Sequence, residues 1–315
     1  MSSSSLAERE RSPSQIKRGP VRRGLSRKHR EWIAAYLFLA PDLMGLFVFL
    51  GIPMLLAFAI GFFEADGFGN FAFVGLDNYR QMFSDPHFLK SLQVTVAYVF
   101  GYVPCLFITS LLLALLLKQK IPFIGTFRTL FFIPNVVSLV VVGFVWKFLL
   151  ADQIGVLNQL LQGGARSWLG DPNLALGGVI VVSVWFSMGY YMVIFLAGLQ
   201  EIPAEYYDAA SIDGADAWAT FWYVTWPLLR PTSFFVLLVT LISAAGGQGF
   251  DLIFVMTRGG PAEATSLGIF YIYQQAFQFG HYGYAAAMAL FLVLIMLLAT
   301  IIMFVITKGG RFEFD

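Results

Sequence analysis

The sequence predicts an all-α polytopic membrane protein with six membrane-crossing helices, and three observations carry that prediction. Apolar side chains make up 58% of the 315 residues and charged ones only 12%, about half the share usual for soluble domains, and the mean hydropathy is +0.73. Apolar runs of about 20 residues, enough to cross roughly 30 Å of hydrocarbon at about 1.5 Å per residue, recur near 39–63, 91–117, 124–150, 174–200, 232–256 and 283–307. Inside these runs the charged side chains are few: Asp42, Arg128, Lys147 and Asp251. The runs lack the alternation of barrel strands, and an open strand leaves its backbone unsatisfied in lipid, so helices are the remaining solution.

Taken in order, residues 1–30 are rich in Ser, Arg and Pro with almost no large apolar side chains. Such a composition buries too little surface to fold, so a disordered basic tail is predicted, followed by a membrane domain over 31–315. The apolar stretch from Trp32 to Phe63 is too long for a cleaved signal peptide, whose core is about 7–15 residues, and reads as an uncleaved anchor. It divides into an interfacial piece from Trp32 to Leu39 and a helix starting at Pro41, where proline's missing N–H costs nothing. Asp42 then falls in the first turn, where the helix dipole favours a carboxylate. The second, fourth and sixth runs hold no charged side chain. The loops at 64–90 and 151–173 are short for independent domains, and the loop at 257–282 is rich in Gly and Tyr.

Other function classes are excluded on composition and spacing. Cys105 is the single cysteine, which removes disulfide frameworks and cysteine metal sites. His29, His87 and His281 form no ligand-spaced pair. No phosphate-binding G-x-x-x-x-G-K-[ST] stretch and no repeat of about 20–50 residues occurs. Membrane-embedded charge relays and inverted repeats, the marks of a secondary transporter, are missing, as is the catalytic cluster a membrane-bound transferase needs. A basic nucleic-acid-binding fold does not fit so apolar a chain.

The segment between the fourth and fifth runs, 201–231, is the anomaly. It carries Glu201, Glu205, Asp208, Asp213 and Asp216 against one base, Arg230. Good helix formers run from Ala204 to Ala210 and again from Asp216 to Trp226, with Gly214 between them supplying the positive φ that a sharp break needs. Trp218, Phe221, Trp222 and Tyr223 give the second half an apolar face. One reading is a folded loop that caps its own bundle; the other is a docking element for a cytosolic protein.

Glu205-Tyr-Tyr-Asp208-Ala209-Ala210-Ser-Ile-Asp213-Gly214-Ala215, followed by Phe221, Val224, Pro227 and Pro231, resembles the EAA loop of ATP-binding-cassette importer permeases. The Ala-Ala pair, the Asp-Gly-Ala and the final proline keep the family spacing, while Asp208 stands for the usual Glu and Trp226 for the usual Leu. Phe73-Val-Gly-Leu-Asp-Asn-Tyr79, Phe127-Arg128-Thr-Leu-Phe-Phe-Ile-Pro134 and Phe250-Asp-Leu-Ile-Phe-Val-Met-Thr257 with Gly259-Gly260-Pro261 are similar to sugar-importer permeases of the maltose and glycerol-phosphate type, the F-like member of the heterodimer. The resemblance spans residues 32–307.

It implies the transmembrane domain of a type I importer, a permease and not an enzyme, in a bacterial or archaeal plasma membrane. Partners implied are a second homologous permease, two ATPase subunits, an extracytoplasmic sugar-binding protein, a sugar and the lipid bilayer, and no nucleic acid. Cofactors are implied only in the ATPase subunits, as ATP and Mg²⁺. Glu205, Asp208, Ala209, Ala210, Asp213 and Gly214 would form the coupling element: the small alanines enter a groove, Asp208 meets a base, and Asp213 meets a partner or caps the turn. Trp218, Phe221, Trp222 and Trp226 would pack on the chain's own helices. In the fifth run, the cluster Ala244-Ala245-Gly246-Gly247-Gln248-Gly249 disfavours helix by about 1 kcal/mol per interior glycine, and non-helical backbone at that depth belongs beside protein or a water-filled cavity. Gln248 carries both donor and acceptor for sugar hydroxyls, Gly249 lies beside it, and Asp251 faces an outer vestibule; close helix packing is the alternative role for the glycines. Trp185, Tyr190 and Tyr191 offer rings for a pyranose, or simply fill space.

Lys and Arg fix the expected orientation. Arg9, Arg11, Lys17, Arg18, Arg22, Arg23, Arg27, Lys28 and Arg30 share a side with Lys118, Lys120, Arg128, Arg230, Lys308 and Arg311, against Arg80, Lys90, Lys147, Arg166 and Arg258 on the other. Both termini are therefore expected in the cytoplasm. Reporter fusions after Phe63 and Leu150 should report the outside and fusions after Leu117 and Gln200 the inside; a cytoplasmic signal after Leu150 would overturn this topology.

Overall fold

A computed structural model describes residues 27–307 apart from 68, 70, 120–121, 153–154, 157–158 and 160–166. It divides at Leu55/Leu56 into two compact units. In the first, α1 (Arg27–Leu46) is followed by a π-helical turn (Phe47–Gly51), and α2 (Ile52–Ile60) crosses the division. The expected interfacial piece and fresh start at Pro41 are not found: α1 runs unbroken through Pro41. One proline forfeits one backbone bond, whereas a break in an apolar segment strands several groups with nothing to pair with. Asp42 thus sits in mid-helix, exposed. Residues 27–30, expected to end the tail, form the first turn of α1, and 1–26 lie outside the described residues.

The second unit opens with a hairpin that the sequence did not announce, β1 (Phe63–Ala65) antiparallel to β2 (Phe71–Phe73), with Phe63 opposite Phe73. The Gly-Leu-Asp-Asn-Tyr stretch leads into α3 (Asp77–Ser84), and Asn78 Nδ2 donates to the carbonyls of Gly61 at 3.0 Å and Phe63 at 2.9 Å. That amide joins α3 to the start of the hairpin. Next comes α4 (Pro86–Leu117), which packs along α7 (Ala175–Glu201). Between them lie buried Tyr98, Tyr102 and Leu106 of α4 and Val179, Val182 and Phe195 of α7. Gly189 lets α7 touch α5 backbone to backbone: a Cβ there would collide with the Phe131 carbonyl.

Two of the expected spans are broken. The third consists of α5 (Ile124–Val136) and α6 (Leu139–Leu149), bent by 98°. Pro134 removes a donor from the last turn of α5, and Val137 then leaves the helix for extended backbone at φ −76°, ψ 146°. In the fifth, the glycine cluster ends α10 (Trp226–Ala245), and α11 (Gln248–Met256) restarts beyond Gly246 and Gly247. The continuous apolar helix in this region is Ala217–Ala245, earlier in the chain than the 232–256 run, because the break falls before that run is complete. With Glu31–Ile60, Pro86–Leu117, Ala175–Glu201 and Tyr282–Ile306 this makes, among the described residues, five helices long and apolar enough to span, or six with the bent pair.

The 257–282 segment is not an open loop. After a turn in which Arg258, Ala262 and Glu263 take positive φ, α12 (Gly268–Tyr273) and a π turn (Gln274–Gln278) return into the protein, burying Leu267 and Phe270 before α13 (Tyr282–Ile306). Apolar side chains every few residues pull this segment onto the bundle, and Thr95 Oγ1 of α4 accepts the Gly268 N–H at 2.8 Å.

Asp85 fixes this end of the unit. It caps α4 by accepting the His87 N–H at 2.9 Å, while its other oxygen accepts the hydroxyls of Tyr271 (α12) at 2.7 Å and Tyr284 (α13) at 2.8 Å. Partial burial pushes the carboxyl up, but the two hydroxyls and the His87 and Phe88 amides together hold it below the ordinary Asp range. A depressed carboxyl stabilises the fold fully above its unfolded pKa, near about 4, and the contribution is lost as pH falls through the lower folded value. Asp85→Ala should lower the stability of detergent-solubilised protein at pH 7 by about 2 kcal/mol, from hydrogen bonds to a charged group. The difference from wild type should persist from pH 8 to pH 5 and shrink below about pH 4; a difference independent of pH would mean the carboxylate charge plays no part.

Candidate functional site

The loop between α7 and α10 is built as two helices around one glycine. Pro203 leads into α8 (Ala204–Ile212), and the helix closes with Ala215 N donating to Ala210 O at 2.9 Å and Gly214 N to Ser211 O at 3.2 Å. Those paired bonds are a Schellman stop, which requires a left-handed residue at its turn; Gly214 has φ +77°. Nothing lies within 4 Å of where its Cβ would be, so the demand for glycine there is conformational and not steric. Asp216 then caps α9 (Ala217–Thr220), its Oδ1 accepting the Ala219 N–H at 2.7 Å. The capping carboxylate is thus Asp216; Asp213 is exposed, and its side chain has no hydrogen-bond partner among the described residues.

The faces of α8 divide cleanly. Tyr207 and Ala210 point to the protein: the Tyr207 hydroxyl lies 3.3 Å from Thr225 Oγ1, its ring lies 3.8 Å under the Lys118 ammonium, and Ala210 is buried. Glu205, Asp208, Ala209 and Ile212 recur at helical spacing on the opposite side and are all exposed, Ile212 by 86%. Beyond, Phe221 and Trp226 pack against the core as expected; Trp222, 44% exposed, lays its ring against both of them, and Trp218, 70% exposed, meets Trp222. A π turn at Phe221–Thr225 changes the helical phase, leaving these two rings in edge contact with each other on the outside.

The break between α10 and α11 opens a cleft of about 630 Å³ whose walls include Gly246, Gly247, Gln248, Asp251, Phe250 and Tyr273. Gln248 and Asp251 therefore line one cleft, where the sequence set Asp251 apart in an outer vestibule. Gly249 faces the other way, buried, where a Cβ would come within 2.8 Å of Leu267; its role is packing. Trp185, Tyr190 and Tyr191 do not line this cleft: Trp185 meets Trp146 edge-on, Tyr191 is buried, and Tyr190 is 42% exposed. Tyr273, at the end of α12, was not foreseen, because its segment read as a loop.

Gln248 is not idle. Its Oε1 accepts the Tyr102 hydroxyl of α4 at 3.1 Å, its Nε2 donates to Ser187 of α7, and Tyr102 also reaches Ser187 Oγ at 3.2 Å. One turn away on both helices, Tyr98 donates to Ser183 at 2.9 Å. The α11 helix is thus held at its first residue by a three-way polar contact with α4 and α7. Lys147 of α6 holds its other end, donating to the Val255 carbonyl at 3.3 Å, a favourable place for a cation.

A polytopic helical bundle with an exposed acidic helix between two spans and a cleft at a broken helix fits a membrane-embedded permease. The chain belongs to the family of binding-protein-dependent transport system inner membrane components, whose model matches residues 46–310. It is 36% identical over 277 residues to the sn-glycerol-3-phosphate transport system permease protein UgpA of Brucella abortus, covering 86% of this chain and 94% of that one. It is 33% identical over 281 residues to the lactose transport system permease protein LacF of Rhizobium radiobacter, covering 86% and 93%. Its fold matches a bacterial alginate ABC transporter solved in complex with an alginate pentasaccharide-bound periplasmic protein, with a TM-score of 0.78 and 22% identity over 89% of this chain and 95% of that one. The chain is accordingly a multi-pass inner-membrane permease subunit of the ABC importer class and not an enzyme.

The polar contact at Gln248 has a measurable energy. A double-mutant cycle of Tyr102→Phe and Gln248→Ala, read by thermal unfolding in detergent, should give a coupling of about 1 kcal/mol. Strict additivity would mean that the two side chains do not interact.

Proposed function

We propose that this chain is the transmembrane subunit of an ATP-driven sugar importer, forming half of the translocation pathway. The observation that carries the coupling role is the face of α8: two carboxylates, Glu205 and Asp208, with Ala209 and a fully presented Ile212, on a helix pinned to its own bundle by Tyr207 and Ala210. A helix pinned on one face and free on the other transmits a push as a rigid body. Two ATPase subunits, which hold ATP and Mg²⁺, would seat this face, Asp208 meeting a base in the groove; closure of the ATPase pair would then move α7 and α10 through their rigid connections to α8. A second homologous permease would complete the pathway and an extracytoplasmic sugar-binding protein would deliver the substrate, with both termini of this chain in the cytoplasm.

The sugar reading is supported by the named substrate of the lactose relative and by the cleft at the α10–α11 break, which sets polar side chains beside aromatic rings. Gly214→Val tests the coupling role. A β-branched residue at φ +77° costs about 1–2 kcal/mol or more, so the turn would open and swing the acidic face away. Uptake into proteoliposomes containing the assembled importer should fall at least tenfold, with the extracytoplasmic receptor still binding its sugar. Wild-type uptake with the ATPase subunits still bound would exclude this loop as the coupling element.

A further inference from the structure

The side of α8 that faces the bundle borders a cavity of about 570 Å³, walled by Leu112, Leu115 and Lys118 at the end of α4, Tyr207 of α8, and Trp218 and Phe221 from α9 and the turn after it. One wall is where the apolar span Pro86–Leu117 ends, and the other is where the span Ala217–Ala245 begins. The cavity therefore lies at a membrane surface, on the side of the acidic loop. Its chemistry is graded: Leu112 and Leu115 stand within about two turns of the end of the span, Lys118 is the first residue past it, and Gln119 follows. We propose that this cavity is a binding site for one anionic phospholipid of the leaflet on the loop side, with an acyl chain along Leu112, Leu115 and Phe221 and the headgroup phosphate at Lys118 and Gln119.

The charge at the wall is positive and unneutralised. The Lys118 ammonium stands 3.8 Å over the ring of Tyr207, another wall residue, and meets no carboxylate among the described residues. The Gln119 amide and the Trp218 indole N–H have no hydrogen-bond partner among the described residues either, so three kinds of donor are left for an anionic oxygen. No Asp or Glu is among the described wall residues, and Asp216, next to Ala217 in the chain, is engaged by the Ala219 N–H. A Lys just beyond an apolar span favours anionic lipid by about fivefold.

The apolar part points to a lipid and not to a soluble anion. Leu112, 57% exposed on a membrane helix, continues the cavity toward the hydrocarbon. Trp218, 70% exposed, joins an apolar ring to a polar N–H, the combination that settles at the headgroup level of a bilayer. An ATPase subunit would seat on the other side of α8, where Glu205, Asp208, Ala209 and Ile212 are exposed opposite Tyr207, and the acids there repel the headgroup that Lys118 attracts. A lipid seated in the cavity touches α4, α8 and α9 at once, and so ties the acidic loop to the bundle beside the Lys118–Tyr207 contact.

Photolabelling tests the site. The assembled importer is reconstituted with phosphatidylglycerol or phosphatidylcholine carrying a diazirine on the acyl chain, and the labelled peptides are mapped. Labelling of segments 112–119 and 217–221 should be at least about fivefold higher with phosphatidylglycerol. Lys118→Gln should bring it down to the phosphatidylcholine level, and Lys118→Arg should retain it. Leu112→Trp, which fills the apolar end and leaves the charge, should abolish the preference. Excess glycerophosphoglycerol, the same headgroup without chains, should not compete. Equal labelling by the two lipids in the unmodified protein reduces the cavity to ordinary bilayer contact and overturns the proposal, as does a preference that survives Lys118→Gln or Leu112→Trp. Absence of label from both segments means that another subunit fills the cavity, and competition by glycerophosphoglycerol means that the ligand is a soluble phosphate; either result overturns it. The measurement uses no ATP, so its failure leaves the coupling role of α8 standing, and failure of that role leaves the lipid site standing.

Discussion

Tyr98 and Tyr102 stand one helical turn apart on α4, their rings stacked at 5.4 Å, and each hydroxyl reaches a serine one turn apart on α7, Ser183 and Ser187. In an apolar bundle there is little hydrophobic difference between a helix neighbour and a lipid tail, so close packing and polar contacts must fix which faces meet. Hydroxyl pairs in register do that for α4 and α7, because a slip of one residue would strand buried donors. Much of the second unit builds on this pair: α5 docks on α7 through Gly189, α12 hangs from Thr95, and α11 is held through Gln248.

The breaks in the helices are where function is placed. An unbroken α10–α11 would fill the space now occupied by the cleft, and an unbroken α5–α6 would not present Lys147 to the end of α11. Two helix ends elsewhere in the bundle are met by cations, Lys147 on the Val255 carbonyl at the end of α11 and Arg128 on the Leu117 carbonyl at the end of α4, at 3.0 Å. The short α11 is tied to its neighbours at both ends, through Gln248 and through the Val255 carbonyl, so its movement is passed on through a few defined bonds as well as apolar contact.

At the α8 loop the same economy holds on the surface. A Schellman stop at Gly214 and a carboxylate cap at Asp216 make the two helices rigid with respect to each other without any bulk at the turn. Tyr207 under Lys118 then attaches the loop to the end of α4. The outward face is left with side chains that serve no internal bond, which is what a surface meant for another subunit requires.

The sequence by itself determined the class, the apolar runs, the helix–glycine–helix form of the acidic loop and the break at Gly246–Gly247, because each depends on local composition or on a conformation that only glycine takes cheaply. It set Gln248 and Asp251 apart, the second in an outer vestibule, although two residues three positions apart at one helical start line the same cleft. It misread α1 and the 257–282 segment, where Pro41 and a short Gly- and Tyr-rich stretch look like breaks. Only the tertiary structure decided that Gln248 is engaged by Tyr102 and that Asp85 gathers Tyr271 and Tyr284. Those contacts join residues 146 to 199 positions apart, and a side chain's freedom to bind a ligand depends on which distant partner has already satisfied it.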